Sequence, residues 1–336
     1  MTIPNYMETE QLAQQQNNAA KFAFLYMLSL VSLAFTAISS GQVVFQIINK
    51  KFPDAVNPYL HQFDSGNLKF AIAAIIIAAP IYYFTAWQIN KNLFSGGLAK
   101  EAAVRRWLTY FILFVASVTI IGWLIGVIFN YLDGELTAKF ILKSATAIII
   151  AAVVFSYYLY DIRREELAGK KDRVVRIYFY ATAVLVSASL AAAFYYAPTP
   201  TETRNLRQDQ DIISHFNQID GAINGYLQQE KKLPANLEDL ILDRRFLLES
   251  DIKDSVTGEK FEYHIVKDKE QYKLCATFLT DNRNSADSQY NYDNERWPHA
   301  AGRQCLIQRV YPLDAPIEKA RPMSAPVPAP VTVPVR

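Results

Sequence analysis

Three of the four histidines, His215, His264 and His299, fall in the C-terminal part of the chain, along with the acidic residues Asp281, Asp287, Asp293 and Glu295. Imidazole nitrogens and carboxylate oxygens are the donor set of a transition-metal centre, but the spacings follow no zinc-ligand pattern. Asp281, Asp287, Asp293 and Glu295 alone would suit a hard cation such as calcium. Without the spacing of an EF-hand, their loop reads first as solvated, with calcium the one alternative cofactor. Ser214 and Ser285 sit in no nucleophile elbow. Cys275 and Cys305 are the only cysteines, and pairing them would leave no thiolate nucleophile. No residue is therefore assigned to catalysis or to cofactor binding, and non-enzymatic roles lead. His299, close to Trp297 and Gly302, reads as ordering the loop that leads into Cys305.

The remaining polar candidates lie in apolar surroundings. Lys143 falls about one turn into the fourth apolar run. An ionisable residue there is a site by default, whereas snorkelling to the nearby interface would make it structural; Asp133 or Glu135 would neutralise it. Gly122 and Gly126 form a G-x-x-x-G that lets another helix approach closely, with chance small residues facing lipid as the alternative. Deeper in the runs stand Gln42, Gln46 and Gln88 but no Asp, Glu or His. That weakens ion-coupled transport and removes the usual ligands of a membrane bis-histidine haem.

The elements that must position these residues follow from hydropathy. A charge of +2, 51% hydrophobic residues and a mean hydropathy of +0.04 average a membrane half with a polar half. The near-neutral balance gives no argument for nucleic acid. Five runs are long enough to cross a hydrocarbon core as helices: Phe22 to Ile48, Leu68 to Ile89, Trp107 to Tyr131, Phe140 to Tyr160 and Ile177 to Tyr196. Pro80 is expected to kink the second. The first is too long for a signal-peptide core and shows no clear cleavage site, so it is expected to stay.

Lys91, Lys100, Arg105 and Arg106 after the second run, and Arg163, Arg164, Lys170, Lys171, Arg173 and Arg176 after the fourth, place both loops in the cytoplasm. Lys50 and Lys51 run against this orientation and are outvoted. The N-terminus is then cytoplasmic, and everything beyond the fifth run lies outside the cytoplasmic membrane. An oxidising compartment there favours a Cys275–Cys305 disulfide over two free buried thiols. Closing that loop would contribute about 3 to 4 kcal/mol.

Beyond Pro198 and Pro200, Ile212, Phe216, Ile219, Ile223 and Leu227 recur at helical spacing and predict an amphipathic helix over Arg204 to Glu230. A short helix is expected from Asn236 to Leu242. Alternation over Phe261 to Ile265 and Tyr272 to Phe278, with Lys267 to Glu270 as the turn, predicts a hairpin. A third strand, Cys305 to Val310, would be stapled to it, with Thr280 to Gln304 as a polar stretch between. The proline-rich end from Ala315 reads as disordered or polyproline-like.

Certain runs also resemble an uncharacterised bacterial membrane family, the domain of unknown function 5671. They are Ile47, Ile48 and Asn49 with Phe52, Pro53 and Asp54; Gly134, Glu135 and Leu136; and Phe140 to Lys143. The resemblance continues through Leu233 and Pro234, Thr257 and Gly258, Leu274 to Phe278, Trp297, His299, Gly302, Arg303 and Cys305, and so covers about Lys21 to Arg309. It implies architecture and no activity. The order helix, Leu-Pro loop, antiparallel sheet is similar to the heads of type IV pilins and type II secretion pseudopilins. The chain differs from true pilins in having four spans ahead of the span that leads into the helix and no prepilin cleavage motif. In the turn Asp254 to Gly258, Ser255 stands where those heads usually carry proline, which leaves the turn's rigidity open.

The expected protein is thus a multi-domain membrane protein. Residues 1–21 form a cytoplasmic segment, 22–196 an all-α five-helix transmembrane bundle, 197–313 a small α+β pilin-like extracytoplasmic domain, and 314–336 a tail. Its expected partners are the lipid bilayer and either an envelope or secretion/pilus-type protein or further copies of itself, with no nucleic acid. The leading function is a membrane anchor presenting an interaction module. The alternative is a transporter or channel component, which would need Gln42, Gln46, Gln88 and Lys143 around one cavity.

Overall fold

Each apolar run becomes one continuous helix, because a backbone in lipid can satisfy its N–H and C=O groups only within the segment. The computed structural model describes residues 6–52, 63–94, 103–164, 172–241, 247–267, 271–283 and 291–310. The helices are α1 (Tyr6–Lys51), α2 (Ser65–Phe94), α3 (Ala103–Leu132), α4 (Ala138–Arg163) and α5 (Arg173–Tyr196). Their candidate spans are Lys21–Lys51, Ser65–Asn92, Arg105–Leu132, Ala138–Arg163 and Arg173–Tyr196, consistent with a multi-pass membrane protein. Pro80 lies inside the unbroken α2.

Every helix extends past its expected apolar run at one or both ends, and two of these extensions change the reading. Helix α1 begins at Tyr6, so the polar residues ahead of the first run are already helical. Helix α4 runs three residues past Tyr160 and brings Asp161 into the span, so the fourth span does hold a carboxylate. Hydropathy ends a segment at its last apolar residue, whereas a helix ends where its backbone bonds end.

Packing centres on α1, which touches each of the other four helices. Val43, Leu68, Ala71, Ile75 and Ala193 are almost fully enclosed there. The outward faces stay apolar: Phe114, Ile125, Val184 and Leu185 are all more than 60% exposed, the pattern of a helix in an apolar solvent. Hydroxyls inside the spans bond back to their own helix, as Ser32 does to Leu28 O and Thr36 to Ser32 O, both at 2.7 Å. They therefore carry little polarity outward.

The chain divides after Thr199. The second unit starts with α6 (Pro200–Glu230), with Pro200 in the first turn, where its missing N–H costs nothing. Ile212, Phe216, Ile219 and Ile223 are buried along one face. Lys231 at φ 56 closes the helix through its N–H to Leu227 O at 2.9 Å. The expected second helix is a single 3₁₀ turn, Leu237–Leu240, held by the Asn236–Asp239 capping box. Strands β1 (Glu262–Lys267), β2 (Gln271–Phe278) and β3 (Gly302–Arg309) form an antiparallel sheet in the order β1-β2-β3. One helical turn and a half, α7 (Asn291–Arg296), lies within the polar stretch between the second and third strands, for which no element was expected. The turn at Asp254 is fixed without proline: its carboxylate accepts from Val256 N at 2.7 Å and Thr257 N at 3.0 Å, and Gly258 takes φ +72.

Candidate functional site

Helix α4 opens with Lys139 and Lys143 at i, i+4, both buried, and the same stripe continues through Ala147 and Ile150. The Lys143 ammonium turns towards α1 and stands 6.0 Å from the Phe45 ring. Phe45 meets Trp123 edge-on at 5.7 Å, and Trp123 meets Phe140 at 6.1 Å. Asp133 and Glu135 are both exposed. The two glycines of the G-x-x-x-G part company. A Cβ at Gly126 would lie 3.4 Å from Phe140 Cζ, whereas one at Gly122 would meet nothing within 4 Å.

The Phe45–Trp123 corner stands at one end of an apolar groove of about 520 Å³ between α1, α3 and α4. Of the glutamines that a transport path would need, Gln42 lines this groove. Gln46 is buried elsewhere and accepts from Asp64 N at 2.8 Å. Gln88 gives its main-chain carbonyl to Asn92 Nδ2 at 2.9 Å.

The opposite end of the bundle holds an ion-pair network that the sequence reading missed. Arg105 donates to Asp161 Oδ2 at 2.9 Å and to Asp161 O at 3.1 Å. Arg164 bridges Asp161 Oδ1 at 3.1 Å and Asp172 Oδ2 at 3.2 Å. Asp172 also caps α5 by accepting from Val174 N, and Tyr160 donates to it at 2.9 Å. Burial pushes the Asp172 carboxyl up, but the Tyr160, Arg164 and backbone donors outweigh it and hold the carboxyl below its ordinary range. Two arginines counted above for orientation are thus engaged in ion pairs. The available signal was the acid-basic alternation Asp161, Arg164, Asp172 at the end of a span, since charge at a membrane helix end is costly unless paired.

In the second unit, Cys275 and Cys305 face each other in register across β2 and β3, with their sulfurs at disulfide distance, 2.07 Å. Glu262, His264 and Cys275 bring ligand atoms within 4.8 Å of one another, the one such group among the described residues. The Cys275 sulfur is committed to Cys305, and Glu262 pairs with Arg303, so this group lacks the donors of a metal centre. His215 is engaged elsewhere, with Asp251 O at 3.0 Å and Ser255 Oγ at 3.2 Å. Of the acidic loop, Asp281 binds Arg283, accepting from its backbone N and Nε at 3.0 Å, and Glu295 is exposed. Asp287 and the Asp293 side chain lie outside the described residues, as does the proline-rich tail.

The loop into β3 is clasped by Asn282. Its side chain donates to Trp297 O at 3.0 Å and accepts from His299 N at 2.8 Å. Trp297 is fully buried, donates to Asn217 Oδ1 at 2.8 Å and stands 5.2 Å from Phe216. Gly302 adopts φ +94, a conformation that favours glycine, where the loop enters β3. Two buried acids on α6, Asp209 and Asp220, also escaped the sequence reading. Asp209 accepts from Leu279 N and Thr280 N at 2.7 Å; Asp220 takes Tyr272 OH and Arg296. Both fall on the same helical stripe as Phe216, so an acid inside the apolar stripe was the legible sign.

His299 stacks on Phe278 at 3.8 Å and is 2% exposed. Burial pushes its imidazole below the ordinary value of 6.5, and the nearby Asp209 carboxylate opposes this without overcoming it. The folded state thus holds His299 neutral while the unfolded chain accepts a proton. Stability is complete above about pH 6.5 and falls as the pH drops below it, with a slope of at most about 1.4 kcal/mol per pH unit. Urea titrations of the full chain from pH 8 to 5, read by proteolysis of the second unit, should show this slope. His299→Phe should flatten it; an unchanged slope would assign the acid sensitivity to other groups.

A family model described as domain of unknown function (DUF5671) matches residues 23–158. The chain is similar to that family from the membrane part of α1 to late α4. The match stops short of α5 and of the second unit, for which the resemblance stands on the quoted residues alone. No curated protein and no solved structure matches the chain.

Proposed function

We propose that the chain is a non-enzymatic membrane anchor that presents its second unit outside the cytoplasmic membrane as a docking module for an envelope protein. The observation that carries the reading is the outer edge of β3. β2 occupies the centre of the sheet, and among the described residues no strand pairs with the other side of the eight residues Gly302–Arg309. Ile307 on that strand is 58% exposed. An open edge of this length is a template for strand addition. The link from Cys275 to Cys305 ties this strand to β2 and supports an oxidising compartment. The likeness of the helix, Leu233–Pro234 loop and sheet to pilin and pseudopilin heads points to a secretion- or pilus-type partner or to further copies of the chain. The transport alternative has less behind it, because Gln46 is used in packing α1 against the start of α2.

The test is a photo-reactive residue at position 307 in intact cells, with the cysteine state read by alkylation before and after reduction. A discrete protein adduct together with alkylation only after reduction supports the reading. Adducts to lipid alone, or cysteines open to alkylation without reductant, overturn it.

A further inference from the structure

We propose that the cleft between α1, α2, α4 and α5 binds an isoprenoid quinone, one of whose carbonyls accepts from the Tyr26 hydroxyl. Three aromatic doublets, Tyr82 and Tyr83 on α2, Tyr157 and Tyr158 on α4, and Tyr178 and Phe179 on α5, line the same cavity. Ring centroids stand 5.1 Å apart for Tyr83 and Phe179 and 5.6 Å apart for Tyr157 and Tyr178, and Tyr178 OH donates to Ser156 Oγ at 3.1 Å. These rings floor a space of about 370 Å³, the size of a small-molecule site. The space follows α1 from Leu33 to Val44, about 16 Å at 1.5 Å per residue. Ile149 of α4 and Leu185 of α5 also line it and are 62% and 64% exposed, so it opens sideways between those helices. That shape stacks a flat head among the rings and lets an apolar chain trail out into lipid.

The polar end decides the head. A smaller cavity of about 40 Å³ adjoins the floor and shares Tyr82, Tyr157 and Tyr158 with it. Tyr26, packed against Ile89 of α2, lines this smaller cavity. Its hydroxyl is buried without a hydrogen-bond partner, whereas Tyr82 is bonded to Tyr158 and Tyr157 to Asn90. A buried donor left unmade is costly, so the Tyr26 hydroxyl calls for an acceptor. Among the described residues, the one charged side chain lining either cavity is Asp161, already paired with Arg105 and Arg164. A charged headgroup would meet no counter-ion there, which selects a neutral one. A carbonyl on a flat apolar ring suits both the phenol donor and the aromatic floor. Ser40 Oγ, the other hydroxyl of α1 that is buried without a partner, lines the larger cavity about 21 Å further along the helix, beside the chain and out of reach of the head.

The test is photolabelling of the purified full chain in detergent by an azido-ubiquinone, with unlabelled ubiquinone-1 as competitor. Labelling should saturate and be displaced. Tyr26→Phe should weaken binding about fivefold, the worth of one hydrogen bond. The same variant should leave the melting midpoint of the unliganded chain unchanged, because the hydroxyl it removes has no partner to lose. Val186→Trp, which fills the cavity, should abolish labelling. Val115→Trp, in the neighbouring groove between α1, α3 and α4, should leave labelling as it is. Labelling that does not saturate, an unchanged affinity in Tyr26→Phe, or equally effective displacement by squalene, a prenyl hydrocarbon without a carbonyl, or by dioleoyl phosphatidylcholine would each overturn the proposal.

Discussion

Replacing Phe216 by alanine should unfold most of the second unit's stability, by about 3 to 5 kcal/mol. Phe216 is fully buried, and its ring stands 5.2 Å from Phe261, 6.1 Å from Phe278 and 5.2 Å from Trp297. It therefore joins α6, the segment entering β1, the end of β2 and the loop into β3. Truncation loses the transfer free energy of the ring and leaves a cavity that four separate segments would have to close together. Nearby Asp209 and Asp220 resist such a collapse, because both carboxylates fix α6 to distant backbone and side chains. The unit is small, so a loss of this size is a large fraction of its stability. Pulse proteolysis in urea of the full chain measures it. A change below about 1 kcal/mol would mean that the core is organised around another residue.

Asp161→Ala should give the largest effect in the membrane unit. Removing this carboxylate leaves Arg105 and Arg164, whose side chains are 7% and 13% exposed, without their shared anion. Breaking one member of a buried network costs about 3 to 5 kcal/mol in water-soluble proteins. The lower end applies here, because a chain unfolded within the membrane also finds partners. A thermal melt in detergent should fall by several degrees. Adding Arg105→Leu to Asp161→Ala should restore part of the loss, with a coupling of about 1 to 3 kcal/mol. Additive single and double variants would show that Arg105 and Asp161 do not act as a unit. Tyr272, buried in the other unit against Asp220, is a useful contrast. Burial and the Asp220 carboxylate push its phenol far above its ordinary value, so it remains a donor throughout the usable pH range.

The five spans, the stripe of α6, the hairpin and the partnership of the two cysteines were legible because each rests on local repetition or on a count of two. A hydrophobic run, a spacing of three and four, an alternation of two and the presence of only two cysteines need no knowledge of what lies opposite. What the tertiary structure alone decided involves residues far apart in the chain. Arg105 meets Asp161 across 56 positions, Tyr272 meets Asp220 across 52, and Thr280 meets Asp209 across 71. The same holds for the glycines. Gly122 and Gly126 are equivalent in sequence, and only the approach of Phe140 from α4 makes one of them a packing position. Helix α7 was hidden for a different reason: at six residues it is too short to show a periodicity. Lys143 combines both cases. Its place near the start of a span could be read from hydropathy, but its position beside Phe45 at the end of a groove exists only once α1 and α4 pack antiparallel.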